Sequence, residues 1–169
     1  PRGLEGMERP LAARDLEGAA ALCTAFHTPI AADESVYGID DAKQVIAAGA
    51  ADVINVKLPK CGGIHRARAI AAFCEQNGIG CFLGGCLETT PGTAAQAHFH
   101  AATDNLASAA EMEGPWCYTD DVVKTLLRLE EGAVSVPEGP GLGVEIDRDK
   151  LERYGTHRGF VAGDGSALK

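Results

Sequence analysis

Short apolar runs separated by helical patterns recur along this chain at a period of about 25 residues, and no other feature limits its fold as much. The runs end at Glu8, Asp33, Lys57 and Gly84, with a weaker one over 106–109. Between them apolar residues return every three or four positions, which is helix period. The pattern predicts helices over 15–25, from Ile39 through Ala42, Val45, Ile46 and Gly49, and over 64–76 and 91–102. Strands alternating with helices lie parallel and are joined by right-handed crossovers, so the fold class is α/β with a parallel sheet. A further short helix is expected over 121–129.

The pattern changes beyond residue 130. Ala133-Val134-Ser135-Val136 and Val144-Glu145-Ile146 read as extended segments around the Pro- and Gly-rich stretch 137–143. The expected organisation is a partial (β/α) barrel over 1–130, C-terminal extended segments over 131–154 that pack back toward a capping domain, and a disordered tail over 155–169. The 169 residues suffice for one core but fall short of the roughly 250 of a complete eight-unit barrel.

Bulk charge narrows the function. With 24 acidic against 15 basic residues the formal charge is −9, which argues against nucleic acid or an anionic membrane surface as partner. No apolar run approaches the roughly 20 residues that span a bilayer. Pro1-Arg2-Gly3-Leu4-Glu5 has no apolar core of a signal peptide, and reads as a start partway through something longer. The six cysteines (Cys23, Cys61, Cys74, Cys81, Cys86, Cys117) form no CxxC pair and read as small core residues of a reducing, cytoplasmic protein.

The strand ends carry the chemistry. Glu8, Asp33 and Lys57 close successive strands 25 and 24 residues apart, so a regular repeat brings them to one face, where barrels hold their functional groups. Two carboxylates suit a hard divalent ion, Mg²⁺ or in its place Mn²⁺. Such an ion stabilises the enediolate formed when a base removes the proton next to a substrate carboxylate. Lys57 is the expected base, its pKa lowered by burial beside the cation. The same Lys also fits a Schiff-base aldolase, in which the amine is the nucleophile, and a non-catalytic half-barrel module is a third reading. His98 and His100 stand two apart on a helix and share no face. His27, His65 and His157 are isolated, and Gly62-Gly63 closes a turn.

Four stretches carry a family resemblance: Glu8-Arg9-Pro10, Ala32-Asp33-Glu34-Ser35, Asn55-Val56-Lys57-Leu58-Pro59-Lys60-Cys61-Gly62-Gly63 and Gly84-Gly85-Cys86-Leu87-Glu88. In this order and spacing the chain resembles the muconate-lactonizing subgroup of the enolase superfamily, up to about Tyr154. The resemblance implies the C-terminal part of a TIM-like barrel, strands four to eight. It implies that Glu8 and Asp33 are the second and third Mg²⁺ ligands and that Lys57 is the acid/base Lys of the sixth strand. Glu88 would support the substrate. Gly84-Gly85 stands where the mandelate-racemase subgroup carries a His. Glu111-x-Glu113 resembles the Asp-x-Asp with which dipeptide epimerases hold a substrate ammonium, with Trp116 as a cation–π partner. The implied activity is racemisation or epimerisation of an amino-acid or dipeptide derivative, or cycloisomerisation of muconate type, on a small carboxylate substrate, in a full-length homo-oligomer. The first metal ligand and a Lys-x-Lys motif are expected before Pro1, so the chain is expected to be a fragment, inactive alone.

Overall fold

The computed structural model describes residues 3–106 and 110–155. Four parallel strands form the sheet in sequential order: β1 (Met7–Glu8), β2 (Ile30–Ala32), β3 (Val53–Val56) and β4 (Gly80–Leu83). The helices α1 (Leu16–Ala25), α2 (Ile39–Ala47) and α4 (Ile64–Gln76) are the crossovers between them, and α5 (Thr90–Ala101) follows β4. The expected fifth strand is reduced to a single parallel bridge from Leu106 to Cys81. The remainder of that expected run, 107–109, lies outside the described residues, as do His157 and the tail beyond Gly155.

Each strand divides its side chains between two faces, because successive residues point to opposite sides. Ala32, Ile54, Val56, Cys81 and Leu83 are buried with Ala42, Val45, Ala67, Ile70, Ala71 and Cys74 of the helices, and Phe99 joins them. Registers Glu8↔Ala31, Ala31↔Val53 and Asn55↔Phe82 put Glu8, Asp33, Asn55 and Lys57 on the opposite side. Gly49 is not on the core face predicted for it. It follows α2 at φ +63°, the left-handed position that ends a helix and that glycine occupies without a steric penalty.

Several local expectations fail for identifiable reasons. The loop after Lys57 contains a short helix, α3 (Leu58–Cys61), because Pro59 falls in the first turn where its missing N–H is not needed. Gly62 and Gly63, at φ +81° and +104°, then turn the chain into α4. No helix forms over 121–129. Instead Val123 pairs with Ile146 in an antiparallel bridge, and the segment ends in β5 (Leu129–Glu130), which pairs with β6 (Ala133–Val134). Glu131 and Gly132 connect these at φ +49° and +79°, the two positive angles of a type I′ hairpin turn. The region 131–154 is not extended throughout, since α6 (Arg148–Tyr154) begins at Asp147, whose carboxylate accepts from the N–H groups of Asp149 and Lys150.

Asp121, expected to open a helix of its own, caps another one. Its Oδ2 accepts from the N–H and the hydroxyl of Thr90 at 2.8 and 3.0 Å, at the start of α5, where Thr89 supplies no side-chain cap. Asp121→Ala leaves that N–H without its partner, and urea denaturation is expected to show a loss of about 1–2 kcal/mol. An unchanged midpoint would show that the cap contributes nothing.

Candidate functional site

The site is built on the ends of β2, β3 and β4. Asp33 follows β2 directly and lies level with Asn55, while Lys57 follows β3 and lies level with Gly84, whose N–H bonds to Val56 O at 3.0 Å. Glu8 is level with Ala31, so Asp33 stands two residues farther along than Glu8, and Lys57 two farther than Asp33. The three climb diagonally across one face, the stagger that tilted barrel strands impose.

Asp33 is the centre of the cluster. Its Oδ2 is 2.7 Å from Lys57 Nζ and its Oδ1 2.7 Å from Lys60 Nζ, with side-chain exposures of 17 % for Lys57 and 6 % for both Asp33 and Lys60. Lys60 also donates to the backbone oxygens of Asp33 (2.7 Å) and Asn55 (2.9 Å), so all three of its protons are committed inside the protein. The two lysines are thereby distinguished. Lys60 has all its protons bound within the protein, whereas Lys57, three residues earlier and more exposed, pairs with Asp33 Oδ2.

Burial pushes the Asp33 carboxyl up, but the ammonium groups of Lys57 and Lys60 outweigh it and hold the group below the usual carboxylate range. Burial likewise lowers Lys57, and is outweighed by its contact with Asp33 and by the nearby Glu8 and Cys86, so that its ammonium is held above the usual lysine range. The lowering expected from the sequence refers to a Lys beside a bound cation, and without the cation the direction is upward. The reason is that Lys57 faces the carboxylate of Asp33 directly.

Asn55 is fully buried and joins the second carboxylate to the first. Its Nδ2 donates to Glu8 Oε1 at 2.6 Å, while its Oδ1 is buried without a hydrogen-bond partner. Gly84 is what makes room for this arrangement. A β-carbon there would fall 2.2 Å from Asn55 Oδ1 and 2.7 Å from the Lys57 Cε.

The loops beyond β4 frame the cluster. Glu88 folds back to accept from the N–H of Cys86 at 2.8 Å, and its Oε1 is buried without a partner. Between them Leu87 adopts φ +56°, and its carbonyl accepts from the Tyr118 hydroxyl at 2.7 Å. Glu111 accepts from the N–H of Gly85 at 3.0 Å, which brings it to the tip of β4. Gln96, fully buried on α5, donates to the carbonyls of Gly84 and Glu111 and fastens the same corner from behind. Glu113 goes elsewhere. It lines a cavity of about 490 Å³ together with His100, Met112 and Trp116, whose walls include neither Lys57 nor Asp33.

Among the described residues, no group of three or more His, Cys, Asp or Glu side chains is arranged to hold a metal. Glu8 and Asp33 match a hard divalent cation in donor chemistry, being carboxylates on adjacent strands, and supply two of the three carboxylates that the resemblance implies. Of the cysteines, Cys61, Cys74 and Cys81 are buried as expected, but Cys86 and Cys117 are exposed, both lying in loops where no helix or strand covers them.

Asn55 and Lys60 were not singled out from the sequence, although each left a signal there. Asn55 is a polar residue inside an otherwise apolar strand, two before Lys57 and so on its face. Lys60 stands three after Lys57, a neighbour across one helical turn.

Residues 1–150 match the family model described as Enolase C-terminal domain-like. Muconate cycloisomerase 1 of Rhodococcus opacus is 38% identical over 152 residues, covering 90% of this chain and 41% of that protein. The crystal structure of 2-chloromuconate cycloisomerase from Rhodococcus opacus 1CP superposes with a TM-score of 0.87 at 35% identity, over 91% of this chain and 42% of its own. The L-Ala-D/L-Glu epimerase from Bacillus subtilis, in a substrate-liganded complex, superposes with a TM-score of 0.79 at 37% identity, over 84% of this chain and 39% of its own. The chain thus spans about two-fifths of the length of these relatives. With parallel strands alternating with helices and this match over nearly its whole length, the chain belongs to the enolase superfamily, as the C-terminal part of a TIM-like barrel.

Proposed function

We propose that this chain supplies the acid/base half of a Mg²⁺-dependent isomerase that removes a proton next to a substrate carboxylate. The observation that carries the reading is the pair formed by Lys57 and Asp33 at neighbouring strand tips, 2.7 Å apart and mostly shielded from water. Glu8 and Asp33 are the residues that would hold the cation. When bound, it neutralises those carboxylates and stabilises the negative charge that develops on the substrate carboxylate.

The chain's own residues do the rest. Lys57 would take the proton at Nζ in its neutral form, which becomes accessible once the charge of Asp33 is neutralised, and return it, and its low exposure keeps bulk water from competing for that proton. Lys60 and Asn55 hold the carboxylates in place, and Gly84 leaves space for the Lys57 stem. Glu88 and Glu111, fixed over the tip of β4 by the N–H groups of Cys86 and Gly85, face the substrate side. These two acids suit a substrate carrying an ammonium group, which favours racemisation or epimerisation of an amino-acid or dipeptide derivative over cycloisomerisation of muconate type, while Glu113 lines a separate cavity and takes no part. In the relatives named above both chemistries occur, a cycloisomerase and an epimerase.

The test is solvent exchange. Incubated in D₂O with candidate dipeptides and with muconate, the full-length protein is expected to incorporate deuterium next to the carboxylate of its substrate, and to stop doing so in EDTA. Borohydride trapping of a covalent adduct at Lys57 would instead identify a Schiff-base enzyme and overturn the reading.

A further inference from the structure

Each of the two carboxylates has one oxygen held by a buried donor from the same short stretch of chain, while the second oxygen of Asp33 faces Lys57 at 2.7 Å, a single contact that a cation at Asp33 would replace. Asn55 Nδ2 donates to Glu8 Oε1 at 2.6 Å, and Lys60 Nζ donates to Asp33 Oδ1 at 2.7 Å. The two donors are themselves tied together, since Lys60 also donates to the backbone carbonyl of Asn55 at 2.9 Å. Both are shielded from water: Asn55 is fully buried and the Lys60 side chain is 6 % exposed. A carboxylate whose one oxygen already bears an ammonium cannot turn both oxygens to the same cation, because the second oxygen would bring the metal against a like charge. The Asn55 amide imposes a weaker form of the same restriction on Glu8.

We propose that Asn55 and Lys60 are positioning residues that make Glu8 and Asp33 one-oxygen ligands, and so set which cation the site selects. This rests on the functional reading given above. Mg²⁺ requires near-octahedral single-oxygen contacts at about 2.0–2.1 Å, whereas Ca²⁺ takes six to eight oxygens at about 2.3–2.6 Å and readily uses both oxygens of a carboxylate. Holding one oxygen of each acid therefore disfavours the larger ion. Selectivity arises from the donors around the ligands as well as from the ligands themselves, as is common for metal sites.

The experiment is isothermal titration of the full-length protein with MgCl₂ and with CaCl₂, comparing wild type, Lys60→Met and Asn55→Leu. The ratio of the two affinities is the readout, because a change in overall charge acts on both divalent ions alike and cancels. Wild type is expected to favour Mg²⁺, and each variant to shift the ratio toward Ca²⁺ by tenfold or more. Asn55→Leu, a near-isosteric apolar change inside a strand, serves where Lys60→Met does not fold. An unchanged ratio in a folded variant overturns the proposal, and so does loss of the fold in both variants, which would make these residues structural only. Failure of wild type to bind Mg²⁺ would overturn the functional reading and this inference with it, whereas Mg²⁺ binding with an unaltered ratio would overturn the inference alone.

Discussion

Lys57→Ala in the full-length protein is expected to lower turnover by about 10²–10⁴-fold, the range that a positioned general acid/base contributes, while Mg²⁺ affinity changes little. The separation of the two effects follows from the geometry. Lys57 is paired with one oxygen of Asp33, and Lys60 and Asn55 continue to hold the carboxylates when the Lys57 side chain is removed. Lys57→Arg is expected to be nearly as inactive, since a guanidinium does not give up its proton in the working range. Steady-state kinetics beside calorimetric Mg²⁺ binding measure both quantities. Turnover at the wild-type rate in Lys57→Ala would remove this lysine from the chemistry.

The second large effect concerns stability. Asp33→Ala leaves the ammonium groups of Lys57 and Lys60 facing each other in a shielded pocket without their shared counter-charge. Breaking a buried ion pair by deleting one partner costs about 3–5 kcal/mol, most of it from the charge left behind. Urea denaturation is expected to show a loss of that size. The pH dependence follows from the directions of the two shifts. The Asp33 carboxyl is held below its unfolded value, about 3.9, so the stability it contributes is complete above that pH and is lost as the pH falls through the folded value. The Lys57 ammonium is held above its unfolded value, about 10.4, so its contribution is complete below that pH and is lost as the pH rises through the folded value. Asp33→Ala is therefore expected to flatten both limbs of the stability profile. Wild-type stability in the variant at neutral pH would show that the triad is not energetically coupled.

The parallel sheet and its crossovers were readable from the chain because the apolar period changes cleanly between strand and helix. Val53–Val56 and Ile64–Gln76 stand where the pattern placed them. The turn after Lys57 was obscured by Pro59, which reads as a breaker although it sits where a helix tolerates it. The misreadings cluster beyond residue 120. There Asp121 looks like a helix start but serves α5, 31 residues earlier, a contact that no local window contains. The Glu131-Gly132 turn, by contrast, was a local signal of a hairpin, and α6 had a local cap in Asp147.

At the site, the strand-tip positions of Glu8, Asp33 and Lys57 followed from the repeat, whereas the side chains that organise them did not. Lys60 matters through three acceptors on two strands, and Gly84 through the space it leaves. Both are properties of packing across elements. The direction of the Lys57 shift depends on which charge the ammonium meets, and without a bound cation that charge is Asp33.

The diagonal climb from Glu8 to Lys57 has a bearing on how this chain can be engineered. What unites these residues is that each falls on the beat that points away from the apolar core, not the number of residues separating them. Segments joining the helices to the lower ends of the strands can grow or shrink freely so long as that beat is kept. Removal of a single residue from Val53–Val56 would turn Lys57 toward the apolar interior and bring Leu58 to its place, silencing the chemistry while leaving the composition almost unaltered.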